Sequence, residues 1–416
     1  MANIVLTKDQ QDAYDNFASF MVDPCEQVFV LAGYSGTGKT TLVKTMLARL
    51  PKLMRMRSLL NPDSKGLLVQ LTATTNKAAE AFSAITQTAV GTIHSFVGLI
   101  VKKNYQTGET ELSTKRNAVI KENYLLFIDE ASYIDKKTLA VIFAMTSNCK
   151  IVFIGDPAQL TPVKTSSTPV FTSGYRGSHL SEVVRQAAGN PIIEVSTKFR
   201  HAVETGEFFS FVPDGKYISH LSRSDFEDEI KKEFLDPKWT YASSKVLAWT
   251  NKCVIHYNKA ISSELTGQPE LQVGDYAINN RYMSSNGNYQ IKTDQLVCIT
   301  KMEPDSEEYG VLGNYVVIDN MATFFQPKSM VETKACIKRA KDENKAWLVA
   351  QIDNNWIDLR AAFACTINKA QGSTYGKVFI DLDDVSRCNS ANQMARLLYV
   401  GISRASHQVF LTGDII

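Results

Sequence analysis

Gly33, Tyr34, Ser35, Gly36, Thr37, Gly38, Lys39 and Thr40 carry the G-x-x-x-x-G-K-S/T spacing of a phosphate-binding loop. Glycines at 33, 36 and 38 let backbone N–H groups turn toward phosphate oxygens where a Cβ would obstruct them. A helix opening at Thr41 adds its positive end. Lys39 is placed to reach the β- and γ-phosphates of a nucleotide, and the Thr40 hydroxyl to ligate Mg²⁺. Candidate nucleotide contacts are therefore Gly33, Ser35, Gly36, Thr37, Gly38, Lys39, Thr40 and Thr41. The loop alone says only that phosphate is bound, since kinases, GTPases and motors all use it.

Further residues narrow the chemistry. The apolar run 124–128 ends in Asp129 and Glu130. A carboxylate at a strand end can hold the metal shell, and its neighbour can orient a water for in-line attack, so Asp129 is the candidate metal residue and Glu130 the candidate base. The run 150–154 leads to Gly155-Asp156-Pro157-Ala158-Gln159, and the Gln159 amide can report whether the γ-phosphate is present. Gln10 offers a donor and an acceptor together, which matches an edge of adenine.

These residues need a scaffold. Runs of strand type at 27–32, 66–72, 124–128 and 150–154 alternate with helical spacing at 7–20 and 41–50, the pattern of a parallel sheet flanked by helices. Thr75 and Asn76 at one strand end, and His94 in TIHSF, suit contacts to a nucleic-acid backbone, although helix capping would explain such hydroxyl residues equally well. From 245 a second αβ unit begins, with Asn251 opening its helix, and it resumes after 353 with TINKAQGST, a strand over 377–382 and a helix over 390–404.

The 416 residues allow two to four domains, and 44% hydrophobic with 21% charged residues is ordinary for a globular chain. No run approaches the ~20 apolar residues of a membrane helix, and MANIVLTKDQQ lacks the regions of a signal peptide. The expected location is cytoplasmic, or the host cytoplasm if the chain is phage-encoded, with no membrane partner. Seven scattered cysteines without a C-x-x-C pair favour reduced thiols over a structural zinc site. With a net charge of +2, any nucleic-acid surface must be a local groove.

In order along the chain, LTKDQQ, GYSGTGKT, LTATTNKAAE, TIHSF, FIDEAS, IGDPAQLTPV, LSEVVRQ, VLAWTN, TINKAQGST and LLYVGISRA resemble the motifs of superfamily 1 DNA helicases, in particular the compact phage Dda helicase and RecD-like relatives that move 5′ to 3′ on single strands. The resemblance implies two RecA-like P-loop domains and the cofactors ATP and Mg²⁺. It implies Lys39, Glu130, Gln159, Arg185 and Arg404 as catalytic residues, the two arginines as fingers that meet transition-state charge. It implies strand contacts by Thr75, Asn76, His94, Asn251, Thr366 and Gln371. Tyr34-Ser35 stands where relatives often have Pro-Ala, Thr74 where a proline is frequent, and Asn368 where a histidine is frequent.

Two insertions are expected. Residues 97–122 read as a hairpin; in the resembling helicases an insertion here is a pin that splits the duplex, and Tyr105 could stack on the junction pair, though an ordinary surface hairpin would read the same. Residues 265–352 hold short β runs, among them 276–278, 295–300, 315–318 and 346–352, which suggest an inserted small β-barrel domain.

The expected fold is α/β: a first RecA-like domain over 1–190, a second over 191–264 and 353–416, the hairpin in the first and the barrel in the second. The expected function is an ATP-dependent helicase acting as a monomer on single-stranded DNA and duplex junctions, with replication or recombination proteins as partners. The alternative is a single-strand translocase that remodels protein–DNA complexes. A nucleotide kinase would not need two arginine motifs so far apart, and a passive binding module would be indifferent to loss of Lys39.

Overall fold

The computed structural model describes residues 6–103, 110–115, 117–161, 168–182, 190–285 and 289–415. Its contacts divide the chain into two compact units. One comprises Met1–Val101, Leu112–Phe209 and Leu398–Ser403; the other comprises Lys102–Glu111, Ser210–Leu397 and Arg404–Ile416. The expected boundary at 190 falls short of this break. The helix Pro191–Thr205 buries Ile192, Val195, Phe199 and Ala202, and it groups with the first unit, which continues to Phe209.

The first unit is built on a six-stranded sheet. Its strands run in the order Gly177–Leu180, Val28–Gly33, Lys150–Gly155, Tyr124–Asp129, Leu68–Ala73 and Gly91–Thr92, all parallel. Both faces are covered, which is why these strands read as continuous apolar runs. Phe29, Leu31, Phe127, Val152 and Ile154 pack on one face with Phe17 and Phe20 of the helix Lys8–Val22. Val28, Val30, Leu126, Ile128 and Phe153 pack on the other.

Thr7 caps the first helix through a capping box with Gln10. Its far end is tied to the sheet by Lys150, whose buried ammonium donates to the carbonyls of Phe20, Asp23 and Glu26 at 2.8, 2.8 and 2.6 Å.

The second unit holds a parallel sheet in the order Ile218–Leu221, Ala405–Thr412, Tyr375–Asp381, Ser244–Ala248 and Ala364–Thr366. Inserted in it is a five-stranded antiparallel sheet: Ala322–Pro327, Val311–Ile318, Leu296–Glu308, Tyr276–Asn279 and Leu359–Ala361. Its edges approach where Phe325 bridges Trp356 and the Gln326 side chain bonds the Leu359 backbone.

The β run expected at 346–352 is instead part of the helix Ala346–Asn355. Leu348, Val349 and Ile352 form its buried face against Cys336 and Ala340 of the helix Met330–Asp342. In the expected hairpin, Leu99–Lys103 and Thr110–Thr114 pair in a two-stranded sheet, and Tyr105 lies outside the described residues. Among the described residues no helix is long and apolar enough to cross a membrane.

Candidate nucleotide site and nucleic-acid contacts

Parallel pairing carries the candidate residues of the first unit to one edge. Ala32 pairs with Gly155, Gly33 with Leu180, and Ala73 with Asp129, so the phosphate loop, the Asp129–Glu130 turn and the Asp156 loop all leave the carboxyl ends of adjacent strands. Gly36 and Gly38 have φ of 83° and 78°. At Gly38 a Cβ would also lie 2.6 Å from Gln10 Nε2, so this position excludes a side chain twice over.

Loop and neighbours interlock. Lys39 Nζ donates to the Gly33 and Tyr34 carbonyls at 2.7 and 2.8 Å, and Thr37 Oγ1 donates to the Tyr34 carbonyl at 2.9 Å. The helix Lys39–Leu60 begins at this point and carries Thr40 and Thr41 in its first turn. The Ser35 N–H donates to the Tyr399 hydroxyl at 3.0 Å, and that hydroxyl donates to the buried Asp156 carboxylate at 2.5 Å, all within the first unit. Gln10, only 4% exposed, accepts from the Thr7 N–H at 3.2 Å and donates to the Thr37 carbonyl at 3.0 Å. Gln10 therefore fastens the first helix to the phosphate loop.

At the carboxylate turn Glu130 sits at φ 55°, a left-handed conformation that costs a side-chain-bearing residue energy and must be held from outside. Thr74 supplies that hold: its N–H donates to the Asp129 carbonyl at 3.1 Å and its hydroxyl to the Glu130 carbonyl at 3.0 Å. Burial and then the Glu130 carboxylate push the Asp129 carboxyl up to about 7, opposed by the Glu130 N–H and by Lys39. Gln159, 5% exposed, follows Asp156, to whose carbonyl its N–H donates at 3.2 Å. Arg185 lies outside the described residues.

Of the strand-contact candidates in this unit, Thr75 caps the helix Asn76–Thr86 by accepting from the Ala78 N–H at 3.1 Å. His94 lies in the short helix Ile93–Phe96, with its imidazole pushed below the usual range by burial against the opposing pull of Asp135.

In the second unit Thr250 caps the helix Asn251–Thr266, and Asp384 holds the cap. One Asp384 oxygen accepts from the Trp249 and Thr250 N–H groups at 2.7 and 2.8 Å, the other from the Thr250 hydroxyl at 2.6 Å. Asn251 Oδ1 accepts from Arg360 at 2.6 Å. Thr366 caps the short helix Ile367–Ala370, and Gln371 follows, 7% exposed. Arg404, 5% exposed, donates to the Ser373 carbonyl at 3.2 Å. Sequence reasoning did not single out Tyr399, Asp384 or the anchoring role of Thr74. Tyr399 stands inside LLYVGISRA, but nothing local marks its partners.

A parallel sheet with a glycine loop at the end of its second strand and a carboxylate pair at the end of the next strand but one defines a P-loop nucleotide-hydrolysing fold. Residues 5–220 match the family described as AAA domain, and residues 361–412 match the UvrD-like helicase C-terminal domain. The first match spans more than half of the chain, which belongs to that family; with the helicase C-terminal match it is a superfamily 1 helicase, an ATP-hydrolysing enzyme. Among curated proteins it is similar to the RecBCD enzyme subunit RecD of Buchnera aphidicola, 24% identical over 93% of this chain and 71% of that protein. It is also similar to the ATP-dependent RecD2 DNA helicase of Deinococcus radiodurans, 28% identical over 47% of this chain and 24% of that protein. Among solved structures, one of two coordinating Pif1 helicases unwinding forked double-stranded DNA shares the fold, with a TM-score of 0.50, 17% identity and coverage of 100% of this chain and 93% of that one.

Proposed function

We propose that this chain is a DNA helicase that spends ATP to move 5′ to 3′ along single-stranded DNA and to separate duplexes. The observation that carries this reading is the repetition of one device in two units. Each unit has a parallel sheet, and residues at its strand ends cap the helices that follow: Thr75 and Thr92 in the first, Thr250 and Thr366 in the second. Capped helix starts of this kind present hydroxyls and N–H groups suited to a phosphate backbone, which gives grip with little base specificity. Only the first unit carries the glycine loop, so the reading assigns it Lys39, Asp129, Glu130 and Gln159 and draws the finger Arg404 from the second. Direction follows from the likeness to RecD-type motifs, and the same likeness supports Arg185 as the other finger.

Mg²⁺ fits the donors present. The Thr40 hydroxyl and the Asp129 carboxylate are hard oxygen ligands, and no group of three or more His, Cys, Asp or Glu placed to hold a metal ion occurs among the described residues. A cation that keeps several waters and takes few protein ligands matches this set. When bound, it would neutralise charge on the β- and γ-phosphates.

The test is strand separation on duplexes with a 5′ or a 3′ single-stranded tail. Unwinding of the 5′-tailed duplex alone supports the reading. Unwinding of the 3′-tailed duplex alone overturns the direction, and movement on single strands without separation of either duplex would favour the translocase.

A further inference from the structure

The side chain of Tyr34, in the phosphate loop, is taken up by a distant helix of the same unit. The Arg200 guanidinium lies 3.6 Å from the centre of its ring, and its hydroxyl donates to Glu204 at 2.9 Å, one turn further along the helix Pro191–Thr205. The His179 ring packs edge-on at 4.5 Å. Arg200 Nε is buried and meets no acceptor among the described residues, and the guanidinium lies over the Tyr34 ring face. Burial and then the Glu204 bond push the Tyr34 phenol up to about 12, which keeps it a donor.

The helix that grips Tyr34 is also the last element before the chain leaves the first unit. Phe209, the final residue of that unit in this segment, packs back on Phe199 at 4.7 Å, with Lys198 5.8 Å from the Phe209 ring. A continuous run of contacts therefore joins the loop that holds phosphate to the point where the chain crosses into the second unit.

We propose that Tyr34, Arg200 and Glu204 are positioning residues that couple the state of the phosphate loop to the segment joining the two units. A change in the loop displaces Tyr34, which moves the helix through two grips one turn apart; tension on the crossing segment acts in reverse. The hydrogen bond fixes where the phenol lies, and the guanidinium fixes the plane of its ring. This rests on the reading of the chain as a DNA-driven ATPase, with strand contacts such as Asn251 and Thr366 in the second unit.

The experiment compares steady-state ATP turnover with and without a short unstructured DNA oligonucleotide in Arg200→Met, Glu204→Leu, Tyr34→Phe and the Tyr34→Phe/Glu204→Leu pair. Wild-type protein must first show stimulation; its absence overturns the functional reading itself. Given stimulation, Arg200→Met and Glu204→Leu should keep DNA-free kcat and KM within about 2-fold and lose about 5-fold or more of the stimulated rate. The double variant should lose no more than Glu204→Leu alone, because both changes remove one bond. Arg200→Lys, which keeps a cation over the ring, should restore part of the stimulation. Full stimulation in Arg200→Met and Glu204→Leu, or equal loss of basal and stimulated rates with a lowered melting temperature, would overturn the coupling.

Discussion

The Thr74 hydroxyl donates to the Glu130 carbonyl at 3.0 Å, which ties the end of one strand to the carboxylate turn at the end of its neighbour. With the Thr74 N–H on the Asp129 carbonyl, this holds Glu130 in a left-handed conformation that its own side chain disfavours. The proline frequent at this position in the resembling helicases has neither a hydroxyl nor an N–H to give. Thr74 precedes Thr75, a strand-contact candidate, so one short segment touches both the candidate base and the proposed DNA path.

Replacing Thr74 with valine removes the hydroxyl bond and keeps the shape. A bond of this kind is worth about 1 kcal/mol. We expect Thr74→Val to lower kcat by about 3- to 10-fold with ATP affinity nearly unchanged. Turnover measured alongside nucleotide binding checks this, and a loss of affinity with intact kcat would contradict it.

Lys39→Ala and Glu130→Gln should separate binding from chemistry. Each should reduce hydrolysis by about 10²-fold or more, while Glu130→Gln retains ATP binding because its shape and its place on the turn survive. A fluorescent-nucleotide titration beside the turnover assay distinguishes the two. Substantial hydrolysis by Glu130→Gln would remove Glu130 as the base.

Asp384 accepts three hydrogen bonds that fix Trp249 and Thr250 ahead of Asn251. Asp384→Ala should weaken single-strand binding by about 5- to 10-fold, the value of one to two such bonds, and leave nucleotide binding unchanged. Anisotropy with a labelled oligonucleotide reads this, and unaltered affinity in a folded variant would contradict it.

Lys150 should matter to stability rather than turnover. Lys150→Met strands three carbonyls and should cost about 2–3 kcal/mol at neutral pH. Burial first, then the Arg57 charge, pushes the Lys150 ammonium down to about 8. An ordinary lysine titrates near ~10.4, so above pH 8 the native state gives up its proton before the unfolded chain does. The unfolded state then binds more protons, and native stability rises with pH across that window. The gap in denaturation free energy between wild type and Lys150→Met should therefore widen from pH 7 to pH 10, and a narrowing gap would contradict the assignment.

The glycine loop, the carboxylate pair and the strands that carry them were legible because local rules fix them: continuous apolar runs for strands buried on both faces, and glycines where a Cβ is excluded. The helix Ala346–Asn355 was not, because its first seven residues form a short apolar run that suits strand or helix equally, and packing on Cys336 and Ala340 decides between them. The boundary at 190 moved for a similar reason, since the face of Pro191–Thr205 that meets the first unit shows only once the partners are placed. Tyr399 was quoted within a motif, but its partners Ser35 and Asp156 lie 364 and 243 residues away in sequence. Gln10 was chosen for its paired donor and acceptor, and both are engaged here, with Thr7 and Thr37. Its contact with adenine stays a proposal.

The central claim is that a DNA strand drives ATP hydrolysis at the loop around Lys39. Steady-state turnover with and without single-stranded oligonucleotides too short to pair tests it most directly. The account predicts stimulation of about 10-fold or more, abolished in Lys39→Ala. Intact basal turnover that no strand accelerates would contradict it, leaving a working nucleotide site whose partner is not DNA.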